Sequence, residues 1–177
     1  QALLNAGISF LSLLDTDVLV SYSYFSVGGL SNTDIRLLWL PGGIILLGFA
    51  AALAFSGQIR LLCLGDGMAL SLGVRVKRLR MLCLVCASAC AAAVVSFAGL
   101  LGFVGLIVPH ISRRLAGTKT GPLLAVSAMT GSILVLTADL LGRVVFAPSE
   151  VPVGIVMAFI GAPFFFFLLL RRRKTSC

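Results

Sequence analysis

The sequence predicts an all-α integral membrane protein. About five helices cross the bilayer, joined by a short re-entrant-type helix and a small helix on the cytoplasmic face. Three observations carry this. Apolar residues are 59% of the chain and charged residues 11%, against about 45–50% and about 25% in a soluble domain. The apolar residues come in runs of spanning length, roughly 20 residues for about 30 Å of hydrocarbon. Twelve of the fourteen Lys and Arg fall in three stretches, 60–80, 113–119 and 171–174, each an even number of crossings from the next.

The runs are read as helices because lipid offers no partner to a backbone amide, and the period-2 alternation of a barrel strand is absent. Ala2 to Leu14 is the remnant of a helix running outward, and the chain begins at Gln1 inside this apolar run rather than at Met. Asp15 and Asp17 end it, since carboxylates are costly at the bilayer centre. Val18 to Ser26 is a short interfacial or re-entrant helix. Gly28-Gly29 and Ser31 to Asp34 are turn chemistry, and Asp34 is a candidate cap for an inward helix over about Ile35 to Ser56. Pro41 is tolerable in its first turns.

The stretch from Gly57 to Arg80 is the longest polar one and holds one short helical signal, 66–73. Asp66 reads as its N-cap and Gly73 as its C-cap. Met81 to Leu101 runs outward and is rich in Ala, Ser, Cys and Gly, which permit close approach of membrane helices. Gly102 to Ile111 returns inward in too few residues for a full span, so it starts from a re-entrant turn at depth. Thr120 to Leu141 runs outward, 142–152 is an external loop, and Val151 to Leu170 runs inward to the basic stop Arg171 to Lys174. The positive-inside rule puts the three basic stretches, and the C-terminus, in the cytoplasm. Chain 1–177 is thus one transmembrane domain with a cytoplasmic loop at 60–80.

The net charge of +8 does not indicate nucleic acid, because the cations sit at span ends with almost no aromatic residues among them. No Gly-rich phosphate loop is present, so nucleotide hydrolysis in that manner is not expected of this chain. Nor is other catalysis, since no pair of catalytic groups lies within the bundle. Cys83, Cys86 and Cys90 share one apolar helix; a zinc site needs about four ligands, so they read as packing residues. His110 is the only histidine and reads as a cap or interface residue. No metal site and no cofactor are expected. Asp139 and Arg143 share a helix face at i,i+4: a satisfied ion pair on the bland reading, a gate or docking pair on the sharper one. The apolar residues Met68, Leu70 and Leu72 of the short cytoplasmic helix need a partner, either the headgroup plane or a cytoplasmic protein.

Several motifs, in order and at consistent spacing over about 57–173, resemble the permeases of ATP-driven importers for iron-siderophore, haem and vitamin B12 complexes. Gly65-Asp66, Ala69 and Leu72-Gly73 resemble that family's coupling segment. Gly102-Phe103, Gly105, Pro109-His110 and Arg113 look like its most recognisable signature. Asp139 and Arg143, then Pro152 and Gly154, then Gly161 and Pro163, are similar to its last two helices. Gly67 and Leu70 depart from coupling-helix positions that are often polar.

The resemblance implies the C-terminal portion of a longer permease subunit in a bacterial plasma (inner) membrane. Its implied partners are a second permease, identical or not, a cytoplasmic ATP-binding-cassette ATPase, an external substrate-binding protein and membrane lipid, with no nucleic acid. Gly65, Asp66, Ala69, Leu72 and Gly73 then form the ATPase-coupling helix. Arg143 meets a carboxylate of the binding protein, and 18–26 matches a short external gating helix. The runner-up is half of an ion-coupled secondary transporter, which would need intramembrane ionisable groups; within the spans only Asp139 qualifies.

Overall fold

Helices account for nearly all of the backbone, and no strand occurs among the described residues. The structure, a computed structural model, describes residues 2–30, 35–117, 119–145 and 151–173. The helices are α1 (Ala2–Leu14), α2 (Thr16–Val27), α3 (Trp39–Ala54, entered through a 3-10 turn at Ile35–Leu38), α4 (Ser56–Leu62), α5 (Asp66–Ser71), α6 (Val76–Ala98), α7 (Val104–Ala116), α8 (Thr120–Val144) and α9 (Val153–Arg173). The proposed cap Asp34 lies outside the described residues.

Four stretches are long and apolar enough to cross a bilayer: α3 with its entry turn, α6, α8 and α9. The remaining expected span, α1, has 13 residues, about 20 Å of helix at 1.5 Å per residue. The short return is α7, also of 13 residues. It extends past Ile111 to Ala116, so Arg113 and Arg114 lie in its last turn, where cations complement the helix dipole. Likewise α6 begins at Val76 rather than Met81, and carries Lys77, Arg78 and Arg80 in its first turns.

Two features differ from the sequence reading. The stretch after α3 contains an additional helix, α4, which follows a break at Phe55. Ile59, Leu61 and Leu62 supply apolar residues to α4, and the helix packs on α5, α6 and α8. The caps of α5 are also shifted by one. Gly65, at φ +108°, is the N-cap and Asp66 is the first helical residue; Leu72 is the C-cap and Gly73 follows it at φ +80°. Asp66 is not a cap because its carboxylate is taken by Arg80.

Helix α3 packs on α6, α7 on α8, and α9 across both α7 and α8. The buried centre is small and consists of Ile107, Ala138, Val153 and Met157, with Leu101, Phe103, Val104, Leu134 and Phe164 packed around it. Large apolar residues such as Leu47, Met129 and Phe159 point outward instead. That distribution suits lipid, which solvates apolar side chains as well as a protein interior does; helix association there rests on close packing. Two small-residue contacts show it. Gly48 of α3 faces Cys90 of α6, and a Cβ at Gly48 would run into the Cys90 Sγ. Ser112 is fully buried between α7 and α8, its Oγ 3.4 Å from Thr130 Oγ1, while Thr130 donates to the Val126 carbonyl at 2.6 Å.

The turn into α7 is set by Phe103, the one non-glycine at positive φ (64°) among the described residues. A left-handed backbone at such a residue costs roughly 1–2 kcal/mol. The conformation drives the Phe103 ring against Gly161 of α9, where any Cβ would collide with it. Ring burial in the bundle centre offsets the backbone cost.

Candidate functional site

Two regions gather the residues that the sequence singles out, one at each end of the bundle. At the basic end, α5 is a six-residue helix between two turns. Its C-terminus is closed by paired backbone bonds: Val74 N–H donates to Ala69 O and Gly73 N–H to Leu70 O, both at 3.0 Å. This six-to-one, five-to-two pattern needs a left-handed residue after the cap, which is why Gly73 stands there. Ala69 is completely buried, and α5 packs on α4 and α6. Met68, Leu70 and Leu72 are each more than half exposed. The helix therefore presents an apolar knob on a base fixed by one alanine.

A second tether holds it. Arg80 Nη2 donates to both carboxylate oxygens of Asp66, at 3.0 and 3.2 Å. The pair links the first residue of α5 to the second turn of α6. Sequence reasoning missed Arg80; a separation of fourteen residues across a turn carries no periodic signal.

At the opposite end, Arg143 Nε donates to Asp139 Oδ2 at 2.9 Å along α8, the i,i+4 contact expected from their spacing. The Asp139 carboxylate is mostly covered, and the Arg143 side chain is 44% exposed. Arg143 stands in the last turn of α8. Gly142, next to it, lies so close to the start of α9 that a Cβ would come within 2.6 Å of the Val151 carbonyl.

The signature residues occupy α7, α9 and the turns that lead into them. The His110 ring meets Phe164 edge-on at 5.7 Å between centroids. Pro109 and Pro163 lie inside α7 and α9. Gly102 and Gly105 flank the Phe103 turn, and Arg113 is exposed at the basic end. Gly154 and Gly161 are buried on α9, seven residues apart and so on one face. Cys83, Cys86 and Cys90 line a cavity of about 450 Å³ in the α3–α6 seam, with Phe49, Phe55 and Leu82. No three metal-ligating groups come together among the described residues.

Comparison with known proteins gives these positions a context. Residues 1–171 match the model of the FecCD transport family. The chain is similar to the iron(3+)-hydroxamate import system permease protein FhuG of Bacillus subtilis, 39% identical over 91% of this chain and 49% of that protein. It is also similar to the cobalamin import system permease protein BtuC of Halobacterium salinarum, 40% identical over 93% of this chain and 44% of that one. Among solved structures it resembles an inward-facing transporter described as of the metal-chelate ABC type, with a TM-score of 0.85 and 30% identity over 96% of this chain and 56% of the other. The chain spans about half the length of the curated relatives it matches. With four spanning helices and a match over nearly its whole length, the chain is a multi-pass membrane protein that belongs to the FecCD transport family.

Proposed function

We propose that this chain is the C-terminal part of a permease subunit in an ATP-driven importer of iron-siderophore, haem or cobalamin-type complexes. The observation that carries the reading is the family match over residues 1–171, which takes in both ends of the bundle. In this reading α5 is the coupling helix, and Met68, Leu70 and Leu72 enter a cleft on a cytoplasmic ATPase. Closure of two ATPases moves α5, the movement reaches the spans, and the helices open alternately to either side. Arg143 docks a carboxylate of an external substrate-binding protein. The chain performs no covalent chemistry itself. The basic ends of α6, α7 and α9 face the cytoplasm of a bacterial inner membrane, and a second permease completes the pathway.

The relatives favour this over an ion-coupled transporter, since they are import-system permeases. Asp139, the acid that an ion-coupled mechanism would use, is engaged by Arg143. The test is Arg143→Glu in the assembled complex. Binding-protein affinity should fall while complex yield and ATPase binding hold; unchanged affinity would remove Arg143 from the docking surface. Independently, purification through this chain should bring down a subunit with a phosphate-binding loop. Its reproducible absence from an otherwise intact complex would count against the importer reading.

A further inference from the structure

The C-terminal end of α2 is joined to the rest of the bundle by backbone hydrogen bonds. Phe25 O accepts from Leu100 N–H at 3.0 Å, Ala98 O accepts from Gly29 N–H at 3.1 Å, and Gly28 O accepts from Gly154 N–H at 3.2 Å. Three chain segments therefore meet here: the end of α2, the turn between α6 and α7, and the start of α9. Glycine is required at each approach. A Cβ at Gly99 would lie 2.6 Å from Phe25 O, one at Gly28 would lie 2.9 Å from Leu100 O, and one at Gly154 would run into the Val27 carbonyl. Gly28 and Gly99 also sit at φ +80° and +68°, a region that L side chains rarely adopt.

The other end of α2 is held differently. It joins α1 through Asp15, whose backbone is extended (φ −144°, ψ 119°) and whose carboxylate accepts from Asp17 N–H at 3.0 Å. Residues 18–26 are exposed along the whole helix. Its main packing partners among the described residues are α1 and, at the clasped end, α9. A clasp of three backbone bonds on one side and the one-residue bend at Asp15 on the other make the two ends mechanically unequal.

We propose that Gly28, Gly99 and Gly154 are positioning residues that hold the C-terminal end of α2 as a fixed pivot, so that α2 moves in the transport cycle by swinging its Asp15 end. The inference rests on the importer reading, in which α2 lies at the external mouth, but it is tested by distances rather than by transport alone.

The experiment uses the assembled importer in proteoliposomes, with the native cysteines of this chain replaced. Spin labels are placed at Val18 or at Tyr24, each paired with one at Val144 on the outer end of α8. Distances are compared between the nucleotide-free and ATP-vanadate-trapped states. The 24–144 distance should change by less than about 2 Å, the scale of ordinary backbone adjustment, while the 18–144 distance changes by more. Equal movement at both labels, or none at either, overturns the pivot.

A second measurement needs no change at the glycines. Phe25→Cys and Leu100→Cys, both exposed positions, are joined by a short bis-thiosulfonate cross-linker. Locking an immobile joint should leave uptake within about twofold of the unlinked protein, a change worth less than about 0.5 kcal/mol. Loss of uptake with continuing ATP hydrolysis would mean that the joint must open, and would also overturn the proposal. Absence of ATP-driven uptake in the unlabelled importer would instead strike the importer reading, which separates the two failures.

Discussion

Replacing Ala69 with Trp puts the coupling role of α5 under the sharpest strain. Ala69 has no exposed surface, and its helix packs on α4 and α6. Forcing extra carbon into a filled site typically costs about 1–3 kcal/mol. Against that stands little. The Asp66–Arg80 pair is 55% exposed on both sides, and such a pair contributes at most about 1 kcal/mol. The terminal bonds of α5 are internal to the helix and its turn, so they move with it. The penalty therefore matches or exceeds what holds the helix down, and α5 should lift as a unit. The bundle should not unfold, because its buried centre around Met157 lies elsewhere. A displacement worth about 1–3 kcal/mol lowers the seated population by about 5- to 150-fold. Uptake and ATP hydrolysis are measured together in proteoliposomes, with thermal unfolding as the control. Uptake per ATP should fall by that order while the unfolding midpoint stays put. Wild-type coupled uptake in Ala69→Trp would refute the seating argument, and a collapsed midpoint would refute the claim that α5 is independent of the core.

Three further outcomes follow from named contacts. Asp66→Arg should reduce coupling modestly, by up to about fivefold for an exposed pair, and Arg80→Asp in the same chain should restore it; a double variant no better than the single would show that the pair does not act. Gly161→Leu displaces the Phe103 ring and should cost about 1–3 kcal/mol, read as a fall in the unfolding midpoint of several degrees, whereas an unchanged midpoint would contradict the notch. Ser112→Val should cost less than about 1 kcal/mol, since polar contacts between membrane helices average about 0.6 kcal/mol and Thr130 keeps its own bond to Val126; a loss beyond 2 kcal/mol on the order seen for core cavities would show a larger role.

Much of the membrane architecture is legible in the chain because a bilayer writes it in one dimension. Run length gives the spans. The Asp139–Arg143 pair is equally legible, being set by helical periodicity alone. What the sequence conceals is contact between segments far apart in the chain. Nothing local links Arg80 to Asp66, so Asp66 reads as a cap. Nothing in Gly28-Gly29 beyond turn propensity says that Ala98, Leu100 and Gly154 close on it. Helix α4 escapes notice because Gly57 interrupts a pattern too short to stand without its neighbours. Phe103 is the most instructive case: a left-handed phenylalanine has no propensity signal, and only the notch at Gly161 explains it.

The central claim is that ATP hydrolysis by a partner, acting through α5, drives transport past these helices. It is tested most directly by reconstituting the purified complex containing this chain with its binding protein, and following uptake of an iron-hydroxamate and of cyanocobalamin. Uptake of a metal complex should require ATP at the α5 face and survive a protonophore. Uptake that persists without ATP and collapses with the proton gradient would contradict it.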